Sequence, residues 1–288
     1  MHADQLDIPL ATVRALVDAQ FPQWRDLPLR ALDTQGTVNA IFRLGDTYTL
    51  RFPLRPRPGA REWLEREAAA ASELLGRTRF ATPEPVALGE PGPGYPLPWA
   101  VQTWLPGVVV TDEALGDDFA RDLAEFISAV RSLPTHGRTF SGEGRGGELK
   151  SQDEWLEICL EHDPAQRPLW QELRELPRGD TPDTMTHGDL IPGNILLTAD
   201  GHLSGVLDVG GLSPTDPALE LVGAWHLLEA GPRRTLREAL NVTDLEWQRG
   251  KAWAFVQAMG LPWYYAETNP PMARIGLRTL ARIAQDAF

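Results

Sequence analysis

The chain has 288 residues, 42% of them hydrophobic and 23% charged, a balance that suits a folded protein with a sizeable core rather than a disordered one. Forty acids against 27 bases leave a net charge of −13, which argues against a nucleic-acid partner and favours a cationic small molecule. Cys159 is the lone cysteine, so an intramolecular disulfide is excluded, and Lys150 and Lys251 are the only lysines among the 27 bases.

Met1 to Asp7 carries acids where a secretory leader would carry bases, and the uncharged run 91–111 is broken by Pro93, Pro96, Pro98 and Pro106. Neither a leader nor a membrane helix is expected, and the expected location is the cytoplasm. Residues 8–19 place Leu10, Val13, Leu16 and Val17 at helical spacing. Short β-prone runs follow at 29–32, 40–44 and 48–52, with Gly45-Asp46 predicting a hairpin turn between the last two. An Ala-, Leu- and Glu-rich stretch, 61–75, predicts a helix stopped by Gly76. A Pro/Gly-rich passage then leads to the apolar run 99–105, ended by Pro106-Gly107. Beyond it the spacing predicts helices over 113–133, 151–162, 216–230, 244–259 and 272–286, with strands only at 195–197 and 203–208. The result is an α+β chain in two lobes: a β-rich N-terminal lobe with one main helix, 1–102, and a mostly helical lobe, 103–288.

The strongest motif is His187-Gly188-Asp189-Leu190-Ile191-Pro192-Gly193-Asn194, followed by Asp208 in Val-Leu-Asp-Val-Gly. In a chain of this composition His-x-Asp-x4-Asn is expected by chance about 0.006 times. Its residue types suit phosphoryl transfer, which needs a carboxylate to accept a hydroxyl proton and oxygen ligands that hold Mg2+ on phosphates. Asp189 is the candidate base, and Asn194 and Asp208 are the candidate metal ligands. The strand pair after the loop would bring Asp208 back beside it. His187 reads as a residue that shapes the loop.

These residues resemble the aminoglycoside phosphotransferase family, small-molecule kinases with a bilobal, protein-kinase-like fold. His187 to Asn194 resembles its catalytic loop, Asp208-Val209-Gly210 its metal-binding Asp-x-Gly, and Asp216-Pro217-Ala218 with Trp225 its next segment. Glu220 departs from the aspartate more usual in the family, a change that bears on loop support. The resemblance implies a loop over nucleotide phosphates at Gln35 to Asn39, with Gly36 and Asn39 as binding residues. It also implies a phosphate-contacting base at Arg51, ion-paired with Glu67, and a hinge where the backbones of Thr103 and Leu105 meet the base of the nucleotide. With no lysine before residue 150, the anchor in that lobe has to be arginine, whose planar fork is not equivalent to a lysine point charge.

The acceptor is less legible. Glu154, Glu157 and Glu161 share one face of the 151–162 helix and Trp155, Leu156, Cys159 and Leu160 the other. That acidic face is most simply a solvated one. Trp263-Tyr264-Tyr265 and Glu267 are as readily core as pocket. The expected function is an ATP- (or GTP-) and Mg2+-dependent transfer of a phosphoryl group to a hydroxyl of a small cationic molecule, an aminoglycoside in an antibiotic-resistance role. A macrolide, or choline, homoserine or a fructosamine-like compound, stays open as acceptor. So does a nucleotide-binding regulatory protein with little activity.

Overall fold

The alternating run from Tyr48 to Pro53 becomes the middle strand of a five-stranded antiparallel sheet. The structure is a computed structural model that describes residues 5–32, 38–111 and 113–286. The chain divides into two compact units. One comprises Met1–Leu75, Ala81–Pro106 and Asp208–Gly210, the other Gly76–Phe80, Gly107–Leu207 and Gly211–Phe288.

In the first unit the strands are β1 (Leu29–Leu32), β2 (Asn39–Leu44), β3 (Tyr48–Pro53), β4 (Pro85–Gly89) and β5 (Trp99–Thr103), in the order β1-β2-β3-β5-β4. The sheet faces follow from alternation. Phe42, Leu50 and Val101 are opposite one another across β2, β3 and β5, and all are buried in a core with Val13, Leu16 and Val17 of α1 (Leu10–Gln20). Arg51, one residue on from Leu50, is opposite Ile41 and Ala100 and so projects from the other face. Phe52 stacks on Trp99 at 4.7 Å between ring centres, and the buried Tyr95 hydroxyl donates to Pro53 O at 2.7 Å. Trp99 also explains Gly89: a Cβ there would lie 2.0 Å from the indole. The helix expected over 61–75 is α2 (Ala60–Leu74), followed by left-handed Gly76. Strand β4 is an addition: the Pro/Gly-rich passage hides a five-residue strand, four of whose residues pair with β5.

The second unit is built on α8 (Asp244–Met259), which is buried from Arg249 to Met259 with no exposed face. Thr243 caps it, its hydroxyl accepting from Glu246 N at 3.1 Å. Around it lie α3 (Asp117–Arg131), α4 (Asp153–His162), α5 (Arg167–Leu173), α6 (Gly223–Leu227), α7 (Ala230–Leu240), α9 (Leu261–Tyr264) and α10 (Pro270–Gln285). Two strand sets accompany them. Strand β6 (Val108–Val109) pairs with β8 (Ile195–Leu197), which pairs with β9 (Leu203–Val206); β7 (Thr184–Thr186) pairs with β10 (Ser213–Thr215). The expectation of only two strands in this half is therefore corrected to five. The expected helix 216–230 is also corrected: Pro217–Val222 is a 3-10 turn, α6 is five residues long, and Leu228 is extended. The mixed α+β fold is as expected, with the sheet in the N-terminal part and the helices in the C-terminal part. Among the described residues, no helix is long and apolar enough to cross a membrane.

Candidate active site

The loop 187–194 connects β7 to β8, and nearly every polar backbone group around Asp189 is tied down. Glu220, fully buried, accepts from His187 N at 2.7 Å and Gly188 N at 2.9 Å through one oxygen. The Gly188 carbonyl accepts from Gln257 Nε2 at 2.8 Å. The Asp189 amide donates to His187 Nδ1 at 3.2 Å, while His187 Nε2 meets the Leu207 carbonyl at 2.8 Å. A carbonyl can only accept, so Nε2 is the donor of that bond. His187 is spent on loop shape. Gly188 is left-handed, φ 70°, and a Cβ there would lie 2.9 Å from Leu219.

The Asp189 carboxylate is 38% exposed. Its Oδ2 accepts from Asn194 Nδ2 at 3.2 Å, and the same nitrogen donates to the Asp189 carbonyl at 2.9 Å. Its Oδ1 accepts from Arg145 Nη2 at 3.3 Å. Behind the loop, His226 is buried between Gln257 Oε1 at 2.9 Å and Thr279 Oγ1 at 3.0 Å, and burial pushes its pKa down to about 4. Because Gln257 donates its nitrogen to Gly188, its oxygen takes the His226 Nε2 proton, so α8 and α10 share one hydrogen-bonded chain with the loop. Burial pushes the Cys159 thiol up to about 11, so it is no nucleophile.

Asp208 belongs to the first unit, and there the expected pairing is corrected. Arg51 Nη2 binds Asp208 Oδ1 at 2.7 Å, whereas Glu67 makes no described ion pair with Arg51. Asp208 is a non-glycine residue in the left-handed region, φ 56°. Burial raises the Glu67 pKa to about 7; Arg51 and Arg57 oppose that rise and Asp208 adds to it. Gly210 lies so close that a Cβ on it would be 2.8 Å from Glu67 Cβ. A cavity of about 240 Å³ in this unit is lined by Arg51, Glu67, Ala100, Gln102 and Gly210, with apolar side chains of α2 and β4 closing it.

Of the other expected nucleotide residues, Asn39 is buried at the start of β2, and its Oδ1 has no partner among the described residues. Gly36 lies outside the described residues. Thr103 ends β5, its amide donating to Glu84 O and its hydroxyl accepting from Glu84 N, both at 2.9 Å. Leu105 follows in the irregular segment before Pro106.

Asn194 and Asp208 each offer an oxygen of the kind a hard divalent cation takes. Both described contacts of Asn194 Nδ2 go to acceptors, which orients the amide and leaves Oδ1 as its acceptor atom. Asp208 has a second carboxylate oxygen beyond the one that takes Arg51. Amide and carboxylate oxygens are the ligands Mg2+ takes, with phosphate and water oxygens completing its shell.

Three contributors were not read from sequence: Arg145, Gln257 and His226. Gln257 left a signal, as the single polar residue in Ala254-Phe255-Val256-Gln257-Ala258-Met259. Arg145 left another, as the lone base inside Gly-Glu-Gly-Arg-Gly-Gly.

The profile of the phosphotransferase enzyme family matches residues 30–256, and the chain belongs to that family. It is, by class, a phosphotransferase. Three solved structures similar to it show the same fold. They are the GDP complex of an aminoglycoside 2'-phosphotransferase (18% identity, 96% of this chain and 99% of that one, TM-score 0.74), an ADP-bound aminoglycoside phosphotransferase (16%, 93% and 97%, 0.62), and the apoenzyme of a macrolide 2'-phosphotransferase from Brachybacterium faecium (18%, 95% and 99%, 0.63). No match is found among curated protein sequences.

Proposed function

We propose that this phosphotransferase uses a purine nucleoside triphosphate with Mg2+ to phosphorylate a hydroxyl of a small cationic molecule of the aminoglycoside kind. The observation that carries the reading is the Asp189 carboxylate, half exposed on a loop whose neighbouring peptides are held by Glu220, Gln257 and His187. A base held this way accepts the hydroxyl proton with little reorganisation. Asn194 and Asp208 would hold the metal, which supplies charge neutralisation on the phosphates when bound. Arg51 would meet the phosphates with its planar fork, and Glu67 would stand behind it. The backbones of Thr103 and Leu105 would take the nucleotide base, and Gly36 and Asn39 would lie over the phosphates.

Both lysines are engaged elsewhere, Lys150 with Glu175 at 2.6 Å and Lys251 with the Asp286 carbonyl, which supports arginine as the anchor. The acidic balance of residues 103–288 supports a cationic acceptor. A second reading, a macrolide acceptor, is favoured by an aromatic surface. Trp263 stacks on His162 at 4.0 Å and lies 6.1 Å from Trp155, and Trp155, Ile158 and Tyr264 are exposed. A cytoplasmic location and a role in antibiotic resistance belong to the same proposal.

The test is nucleoside diphosphate release with Mg·ATP or Mg·GTP against kanamycin, gentamicin, erythromycin, choline and homoserine. Stimulation by one class assigns the acceptor, and Asp189→Ala should lower kcat at least about 1,000-fold while nucleotide affinity holds. Near-normal turnover in that variant, or no stimulation by any compound despite tight Mg·nucleotide binding, overturns the assignment.

A further inference from the structure

We propose that Arg145 is a catalytic residue of the transfer step: its guanidinium leaves the Asp189 carboxylate and binds the phosphoryl group as it passes to the acceptor. This rests on the reading of Asp189 as the base and adds a second charge to the same site.

Phosphoryl transfer needs positive charge around the equatorial oxygens of the moving group. The segment 187–194, His-Gly-Asp-Leu-Ile-Pro-Gly-Asn, carries no Lys or Arg of its own. Neither lysine is placed to help, since one pairs with Glu175 and the other with Asp286. The guanidinium that reaches Asp189 comes instead from a separate glycine-rich loop, through Arg145.

The contact has the character of a resting position rather than a structural clamp. It is a single, long bond, 3.3 Å, between side chains that are each 38% exposed, a pairing that water screens strongly. Arg249 shows what a clamp looks like in this protein. It is 1% exposed, lies 2.6 Å from Asp216, and donates also to the carbonyls of Leu176 and Gly147. Exchanging the Arg145 contact for a doubly charged phosphoryl group is favourable, because a fork that makes one bond to Asp189 can make two to phosphate.

The loop is built for such an exchange. Gly142 and Gly144 are left-handed, with nothing within 4 Å of where a Cβ would lie, and Gly144 O accepts from Gln152 Nε2 at 2.9 Å. Gly146 and Gly147 are locked: a Cβ on either would lie 2.5 Å from Thr215 or Phe140, Gly146 O accepts from Asp216 N at 2.8 Å, and Gly147 O accepts from Arg249. Arg145 therefore hangs one residue from a fixed anchor, its side chain free to swing. The distance is short. An acceptor oxygen within about 3 Å of the Asp189 carboxylate lies within about 3.5 Å of the phosphorus it attacks. A guanidinium touching that carboxylate is then a rotamer change away from the phosphoryl oxygens.

In the step itself the acceptor oxygen forms a bond to the γ-phosphorus as the bond from phosphorus to the β–γ bridging oxygen breaks. The hydroxyl proton passes to Asp189, and the electron pair of the broken bond leaves with the nucleoside diphosphate. Departure of Arg145 frees Asp189 Oδ1 for that proton, so one motion both unmasks the base and charges the site.

Aluminium fluoride, which stands in for a phosphoryl group in transit, reads this without turnover. Affinity for Mg·ADP is measured by calorimetry with and without aluminium fluoride in the wild type, Arg145→Ala and Arg145→Lys. We expect the wild type to bind the fluoride complex more tightly than Mg·ADP. Arg145→Ala should lose at least about 100-fold of that gain while Mg·ADP affinity stays within about 3-fold, and Arg145→Lys should recover part of it. An unchanged unliganded melting temperature in both variants supports a local effect. A full fluoride gain in Arg145→Ala, an equal loss for Mg·ADP alone, or no gain in a wild type that binds Mg·ADP overturns the proposal. A wild type that binds Mg·GDP in place of Mg·ADP is read in the same way with that nucleotide, and one that binds neither overturns the nucleotide reading itself, and the role of Arg145 with it.

Discussion

Burial shifts the Glu67 carboxyl. It raises the pKa to about 7 from the ordinary 4.5, and Arg51, which binds Asp208 at 2.7 Å, offsets only part of that rise. The folded protein then holds this proton more tightly than the unfolded chain. Stability conferred below about pH 4.5 is lost as pH rises to about 7, and the curve is flat above that; the loss is at most about 3 kcal/mol. Glu67→Gln should flatten the curve between those limits, measured as urea unfolding of the nucleotide-free protein at a series of pH values. A parallel curve in the variant would refute the assignment. Strand alternation was enough to place Arg51 on the face away from the core, because Leu50 and Phe52 had to point inward. The identity of its partner was not legible, since Asp208 lies 157 positions away and competes with Glu67 only once the chain is folded.

At the scale of elements, long periodic segments were legible and short ones were not. The helix spacing around Leu123, Ile127 and Val130 survives in α3 because each of these side chains is buried. Strands β7 and β10 have three residues each, too few for a period to show. The segment after Asp216 looked helical by composition, yet the buried Glu220 must turn back to two loop amides, and Asp216 is held by Arg249 at 2.6 Å. These demands favour a tight 3-10 turn over a continuous α-helix. They also make Arg249 a stability determinant, because removing it leaves the buried Asp216 carboxylate with a more distant cation, Arg178 at 3.6 Å, beside its bond from Ala218 N at 3.0 Å. Arg249→Met should lower the unfolding free energy by about 3–5 kcal/mol in denaturant titration. A change below about 1 kcal/mol would mean that the ion pair is replaceable by packing. The His187–Asn194 motif, by contrast, is legible at once, since the chemistry proposed for it fixes residue types at fixed spacing within one short segment.

For the whole molecule, charge is the property that sequence reports best and structure adds to least. Residues 1–102 hold 12 acids and 11 bases, and residues 103–288 hold 28 and 16, which sum to the 40 and 27 of the chain and place −12 of the −13 in the half that bears Asp189. Local pairing does not cancel that excess, because an ion pair such as Asp189 with Arg145 takes up one charge of each sign. A field of this sign raises the encounter rate of a cationic acceptor and leaves an uncharged one indifferent. The effect is screened as the Debye length shrinks from about 30 Å at 0.01 M salt to about 10 Å at 0.1 M. Over that range kcat/KM for a polycationic aminoglycoside should fall by roughly 10-fold, with a weaker fall for a singly charged macrolide. Salt dependence of kcat/KM, measured with saturating Mg·nucleotide, separates the two acceptor classes by charge alone. A salt-independent aminoglycoside reaction would show that recognition rests on contacts near Asp189, where Arg145 offsets the local acid, and that the acidity of this half has no part in capture.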